Sequence, residues 1–227
     1  MIVSPSNERL AILLPSRGRA EQLKRLLDSF TKTCSGKADI IVRLGETDPT
    51  LEDYCEIKHP NLRFVLETDG GFGRWPDAGY CFALNDLWKR NPGYAAYSMM
   101  EDDMSFVDVG WDKKVLDILC TFPNRIGLVK WNVIGRAAIC LAVSDLWADT
   151  LGYFQKPEMQ EAGYEALLQL GRDRTAKGPT LFHHQESTRW SHRAPLWTQD
   201  LQDMSAWIQN GEMLNDIKRL DAASSRS

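Results

Sequence analysis

The sequence predicts an α/β fold, a Rossmann-like α/β/α sandwich with a mainly parallel central sheet and a small C-terminal helical addition. Three observations carry this. Short, wholly apolar runs such as Leu10-Ala11-Ile12-Leu13-Leu14 end in polar loops, as strands buried on both faces do. Between such runs, apolar residues recur at helical spacing, clearest in Leu23, Leu26, Leu27 and Phe30. The two patterns alternate, and right-handed crossovers then bring the strand C-termini to one edge, where ligands of open α/β sheets bind.

In order, a strand over 10–14 runs into Pro15-Ser16-Arg17-Gly18, and a Leu-rich helix follows. Ala38 to Leu44 is a second strand and Glu46 to Thr50 a polar loop. Arg63 to Leu66 is a third, leading into Asp69-Gly70-Gly71, where glycines permit positive φ. Asp77 is positioned to cap a helix over 78–89, which Asn91-Pro92-Gly93 stops. Tyr94 to Met100 is a fourth strand, closed by Glu101-Asp102-Asp103. A helix near Asp108 to Cys120, strands over 126–131 and 138–143, and a helix over 144–151 come next. The last third predicts a helix over 158–170, a short strand over 180–183 and one helix over 201–214.

At 227 residues the chain suits one domain over 1–220, with a small polar tail at 221–227 expected to fray. A net charge of −4 disfavours binding nucleic acid through bulk electrostatics. The run Arg172 to Arg193 reads either as a solvated face or as a lip that meets phosphates. Five widely spaced cysteines without a C-x-x-C pair suit a reducing compartment, and no segment approaches membrane-spanning length. The expected location is the cytoplasm, the host cytoplasm for a phage-encoded chain.

The strongest chemical signal is Glu101-Asp102-Asp103, three acids closing an apolar strand. Like charges this close repel unless a cation sits among them. Extended backbone sends Glu101 and Asp103 to one side and Asp102 to the other. Two same-side carboxylates suit Mn2+ or Mg2+, hard ions that keep positions for water and phosphate. A solvated acidic turn is the plainer alternative. Pro15-Ser16-Arg17-Gly18-Arg19 places backbone N–H groups and a helix start at the same edge, without a P-loop or dinucleotide fingerprint. His183 and His184 form a third signal: adjacent strand residues point to opposite faces, so at most one can join Asp103. His184 shares its face with Phe182, and an inward Phe182 brings His184 inward with it.

Together, Ala11 to Arg19 with its helix, and Glu101-Asp102-Asp103 followed by Gly110-Trp111-Asp112, resemble the GT-A glycosyltransferases, especially small family-2-like enzymes and phage-type relatives. The resemblance covers roughly residues 10–150. It implies a glycosyltransferase, a nucleoside-diphosphate-sugar donor (a UDP-sugar favoured) and a DxD-like acidic element that holds metal. It implies a nucleotide-sugar half over 10–110 and an acceptor half over 111–220. Pro15, Ser16, Arg17 and Arg19 would line the donor site, and Asp48 would touch base or ribose unless it merely forms a turn before Pro49. Gly71 would let backbone approach the donor, and Arg74 would reach its diphosphate. Asp103 is the implied metal ligand, with Glu101 and Asp102 sharing metal, ribose or water contacts, and His184 is the late histidine ligand. Trp111, like Trp131 and Trp190, is a candidate to stack a sugar or base. For an inverting reaction the base falls among Glu158, Glu161 and Glu165, with Glu161 chosen. The acceptor is a hydroxyl, on a saccharide or a modified DNA base.

Two other classes compete. A nucleotidyltransferase would carry a Gly-rich loop with Lys after the first strand, and none is present. A non-catalytic nucleotide-sugar-binding module of the same fold would show no turnover.

Overall fold

The structure is a computed structural model that describes residues 7–67, 80–135, 140–159, 162–184 and 190–225, with no side chains described over 190–197. Its elements are β1 (Asn7–Pro15), α1 (Ala20–Thr33), β2 (Ala38–Gly45), α2 (Leu51–Cys55), β3 (Leu62–Glu67), α3 (Tyr80–Arg90), β4 (Tyr94–Met99) and β5 (Met104–Phe106). There follow α4 (Trp111–Cys120), β6 (Leu128–Ile134), β7 (Leu141–Ser144), α5 (Asp145–Leu151), α6 (Gly163–Leu170), β8 (Thr175–His183), α7 (Trp190–Gln209) and α8 (Glu212–Ser224).

One sheet runs in the order β3-β2-β1-β4-β7-β6-β8-β5. β1, β2, β3 and β4 pair in parallel, as do β6 and β8, while β7 joins β4 and β6 antiparallel and β5 joins β8 antiparallel. The fold is the α/β sandwich expected, with the parallel character concentrated in the first half. Alternation along β1 divides the core: Leu10, Ile12 and Leu14 pack beneath α1 and α4, whereas Ala11 and Leu13 face the layer that holds α3, α5 and α6. Strand order reverses between β1 and β4, so the ends of these two strands flank the switch point at which such sheets bind ligands.

Several bounds differ from expectation for local reasons. The helix expected from Asp108 starts at Trp111, because Gly110 adopts φ 71° and Asp108 instead accepts the Thr180 N–H. The single C-terminal helix is two, broken at Gly211 with φ 76°. The helix expected from Glu158 starts at Gly163. The tail expected to fray from Asp221 is helical to Ser224: Asp221 pairs with Arg174, and the Asn124 amide donates to the Ala223 and Ser224 carbonyls. α2 and β5 were missed, being five and three residues long. The expected Asp77 cap lies outside the described residues. Among the described residues no helix is long and apolar enough to cross a membrane.

Candidate metal and donor site

β1 and β4 end side by side, and the loops that follow them are locked together. Gly18, at φ 67°, turns the chain after β1 so that Arg19 reaches back over the β4 end. The Arg19 guanidinium lies 2.8 Å from Asp102 Oδ1 and donates to Asp103 Oδ2 at 3.0 Å. A relay completes the lock. The Arg19 backbone N–H donates to the Tyr54 hydroxyl (2.8 Å), which meets Ser16 Oγ (2.7 Å), and Ser16 donates to Asp102 Oδ2 (2.6 Å). Burial pushes the Asp102 pKa up to about 6, against the pull of Arg19 and Ser16. Asp102 is therefore turned into the protein.

Glu101 and Asp103 point the other way and meet a histidine from the far half of the sheet. His183 Nε2 is 3.2 Å from Asp103 Oδ1 and 3.9 Å from Glu101 Oε2. One ligand atom from each of the three lies within 4.8 Å of the other two. Asp103 Oδ1 and both ring nitrogens of His183 are buried and make no hydrogen bond. Buried polar atoms almost always find a partner, so two that face each other without a hydrogen bond, Asp103 Oδ1 and His183 Nε2, need an account. Two carboxylate oxygens and an imidazole nitrogen converging at one point fit a divalent cation.

The histidine that meets these acids is thus His183 and not His184. Leu181 and His183 take the inner positions of β8, and Phe182, whose inward packing would have brought His184 in, is 39% exposed. The His184 ring lies on the opposite face, with Nε2 2.7 Å from Ser105 Oγ, although its backbone N–H donates to the Asp103 carbonyl at 2.9 Å. Pairing of β5 with β8, Met104 opposite His183, holds the acid loop and the histidine in register. Gly135 is a site residue the sequence did not announce. A Cβ there would stand 2.6 Å from the His183 carbonyl, and its φ is 98°, so only glycine lets the β6 end pass this close. Cys140 is another: burial, then the charges of Glu101 and Asp103, push its thiol pKa up, so it stays protonated beside the acids.

Other expected residues have different employment. Pro15 is buried at the end of β1. Arg17 binds the β2–α2 loop through the Thr47 carbonyl (3.2 Å). Asp48 is buried and accepts from the Gly18 N–H (2.9 Å) and the Thr50 N–H (2.8 Å), which ties that loop to the β1 turn. Trp111 does not face a ligand. It is fully buried, stacked on Phe106 with centroids 4.0 Å apart, and Trp131 is buried beside it. Asp112, also fully buried, takes the Ser35 and Lys37 N–H groups, the Ser35 hydroxyl and the Cys34 thiol. Burial would raise its pKa, but these donors bring it below the ordinary carboxylate value. The Gly-Trp-Asp element is a structural corner.

Arg172 and Arg174 precede β8, about 25 Å along that strand from His183, and Arg174 is bound to Asp221. They form no phosphate lip at this edge. Of the three candidate bases, Glu158 pairs with Lys156 at 3.0 Å, and Glu165 stands half-buried against Tyr164. Burial pushes the Glu165 pKa up to about 7, with the Tyr164 hydrogen bond opposing and the Asp200 charge adding to the shift. Gly71, Arg74 and Glu161 lie outside the described residues.

No family model matches the sequence, and no curated protein matches it. Solved structures do resemble the fold. A mannosyltransferase from Pyrobaculum calidifontis, in complex with GDP-mannose and Mn2+, superposes with TM-score 0.63 at 14% identity, over 98% of this chain and 76% of that one. A manganese complex of Rv0371c from Mycobacterium tuberculosis gives 0.51 at 15% identity, over 84% of this chain and 98% of that one. TarS from S. aureus in complex with UDP gives 0.56 at 11% identity, over 77% of this chain and 60% of that one. With its strand order and its acid-bearing edge, the chain has the GT-A fold of nucleotide-sugar glycosyltransferases.

Proposed function

We propose that the chain is a metal-dependent glycosyltransferase that moves a sugar from a nucleoside-diphosphate donor, a UDP-sugar by preference, to a hydroxyl acceptor. One observation carries the reading: Asp103 and His183 aim buried ligand atoms that make no hydrogen bond at a point on the switch-point edge that Glu101 also faces. Mn2+ suits this set better than Mg2+, because Mg2+ takes oxygen ligands and the third ligand here is nitrogen. The neighbours point the same way: the mannosyltransferase holds GDP-mannose with Mn2+, and TarS holds UDP.

In this reading residues 10–110 form the donor half and 111–220 the acceptor half, with His183 lent across the boundary. Pro15, Ser16, Arg17 and Asp48 shape the rim that receives base and ribose. Asp102 acts indirectly, since its bonds to Ser16 and Arg19 fix the loop from which Asp103 projects. Arg19 offsets the charge of Asp102 and Asp103 and is the cation assigned to the diphosphate. Gly71 and Arg74 are carried as a backbone approach and a second diphosphate contact. A bound divalent cation supplies charge neutralisation on the leaving nucleoside diphosphate. Glu161 takes the acceptor hydroxyl proton while the new C–O bond forms and the anomeric C–O bond to phosphate breaks.

The test is a thermal-shift screen of UDP-, GDP-, dTDP- and CMP-sugars with and without Mn2+, repeated on Asp103→Asn. A shift that needs both Mn2+ and a nucleotide sugar, and vanishes in the variant, is the expected result. A nucleotide-sugar shift in the variant equal to wild type overturns the reading.

A further inference from the structure

The ends of β6, β8 and β5 carry a second feature, on the face opposite His183. Ile134, Phe182 and Ser105 stand in one row across three strands. Phe182 is 39% exposed and Ile134 44% exposed. The His184 ring stands edge-on to Phe182, with centroids 4.9 Å apart and planes at 71°, and is pinned by Ser105 Oγ at 2.7 Å. On the other side, the Asn132 amide donates to the Thr180 hydroxyl at 3.3 Å. An exposed phenyl ring on a rigid sheet, bordered by hydroxyl, amide and imidazole groups, offers a flat apolar face with a hydrogen-bonding rim. That pattern matches a pyranose, which has C–H groups on its faces and hydroxyls around its edge.

We infer that this row is a saccharide-binding subsite, its ligand stacked on Phe182 and held at its rim by Asn132, Thr180 and the His184–Ser105 pair. Its place supports the assignment. Phe182 is the chain neighbour of His183, and the His184 N–H is bonded to the Asp103 carbonyl, so the platform and the proposed metal ligands form one rigid unit. A nucleobase can also stack on a phenyl ring, but the hydroxyl and amide groups around this ring favour the sugar.

The assignment stands on this face alone and not on the sugar-transfer reading, and the experiment separates the two. Protein with labelled Phe and His rings is titrated, by aromatic NMR, with the methyl glycosides of glucose, galactose, mannose and N-acetylglucosamine. A single-stranded DNA oligonucleotide forms a further arm. At least one glycoside is expected to move the Phe182 and His184 signals together, with Phe182→Leu serving to identify the former. Phe182→Ala should weaken that binding by about tenfold, the scale of one stacked ring, and leave Mn2+ and UDP affinities, measured by calorimetry, at wild-type values. The assignment is overturned if all four glycosides leave both rings unmoved at their solubility limits, or if only the oligonucleotide moves them. Glycoside binding in a protein without Mn2+-dependent nucleotide binding would instead sink the transferase reading and keep the sugar-binding face.

Discussion

Asp103 and Asp112 are nine residues apart, both buried, and opposite in their accounts. Asp112, in the corner between α1 and β2, receives two backbone N–H groups, a hydroxyl and a thiol. Asp103, at the strand edge, gives one oxygen to Arg19 and leaves the other facing His183 without a hydrogen bond. A buried carboxylate whose lone pairs are filled from its own chain is holding the chain in place. One with an open lone pair, aimed at a ring nitrogen that makes no hydrogen bond, is shaped for something from outside. The contrast separates two aspartates, both read from the sequence with one family resemblance, into two kinds of residue.

The contrast breaks most visibly at Asp103. Asp103→Asn should abolish Mn2+ binding by calorimetry and lower transfer on the order of 10³-fold, with a melting temperature close to wild type. Manganese affinity that survives the change would leave the edge as a mere acid turn. Asp112→Ala should do the reverse. Stripping the acceptor from four donors is expected to cost about 2–4 kcal/mol in chemical denaturation, while Mn2+ affinity of the folded fraction is kept. An Asp112 variant that melts normally but loses metal would exchange the two roles.

His183→Ala sharpens the comparison within one dipeptide. Removing a ligand nitrogen should weaken Mn2+ binding by about 10–100-fold, on the scale seen when the groups around a metal are altered. His184→Ala should leave it unchanged, since that ring is bonded to Ser105 on the other face. Equal losses in the two variants would mean that His184 reaches the ion.

How much of this was legible is itself a matter of distance along the chain. Apolar runs and helical spacing are local, so the alternation of β1, α1, β2, β3, α3 and β4 could be read directly, as could acids at the end of β4. β5 and α2 are too short to leave a period. The choice between His183 and His184 hung on whether Leu181 or Phe182 packs inward, and both are apolar. β8 also shifts register against β6 between Lys130 and Asn132, which no strand pattern announces. Trp111 and Asp112 were read with a sugar-binding motif because their partners, Phe106 and residues 34–37, become neighbours only on folding. Gly135 matters through a carbonyl 48 residues away in sequence, for which composition gives no sign.

The smallest expected effect concerns Glu165, a carboxyl group unlike either aspartate. One of its oxygens is buried without a hydrogen bond, and burial, ahead of the neighbouring Asp200 charge, holds its pKa up to about 7. A raised folded-state pKa means that the native protein binds this proton more tightly than the unfolded chain does. The stability it contributes is complete below the unfolded carboxyl pKa and is lost as pH rises through about 7. Glu165→Gln, which mimics the protonated form and keeps an acceptor for Tyr164, should therefore match wild type at pH 5 and exceed it at pH 8. Part of the group is solvated, so the gain at pH 8 is discounted to about 1 kcal/mol, or about 2–4 °C in melting temperature for a chain of this size. Thermal melts across that range decide it. A variant less stable than wild type at pH 8 would mean that the ionised Glu165 is bound to a cationic partner, which would place it with the satisfied acids of the molecule.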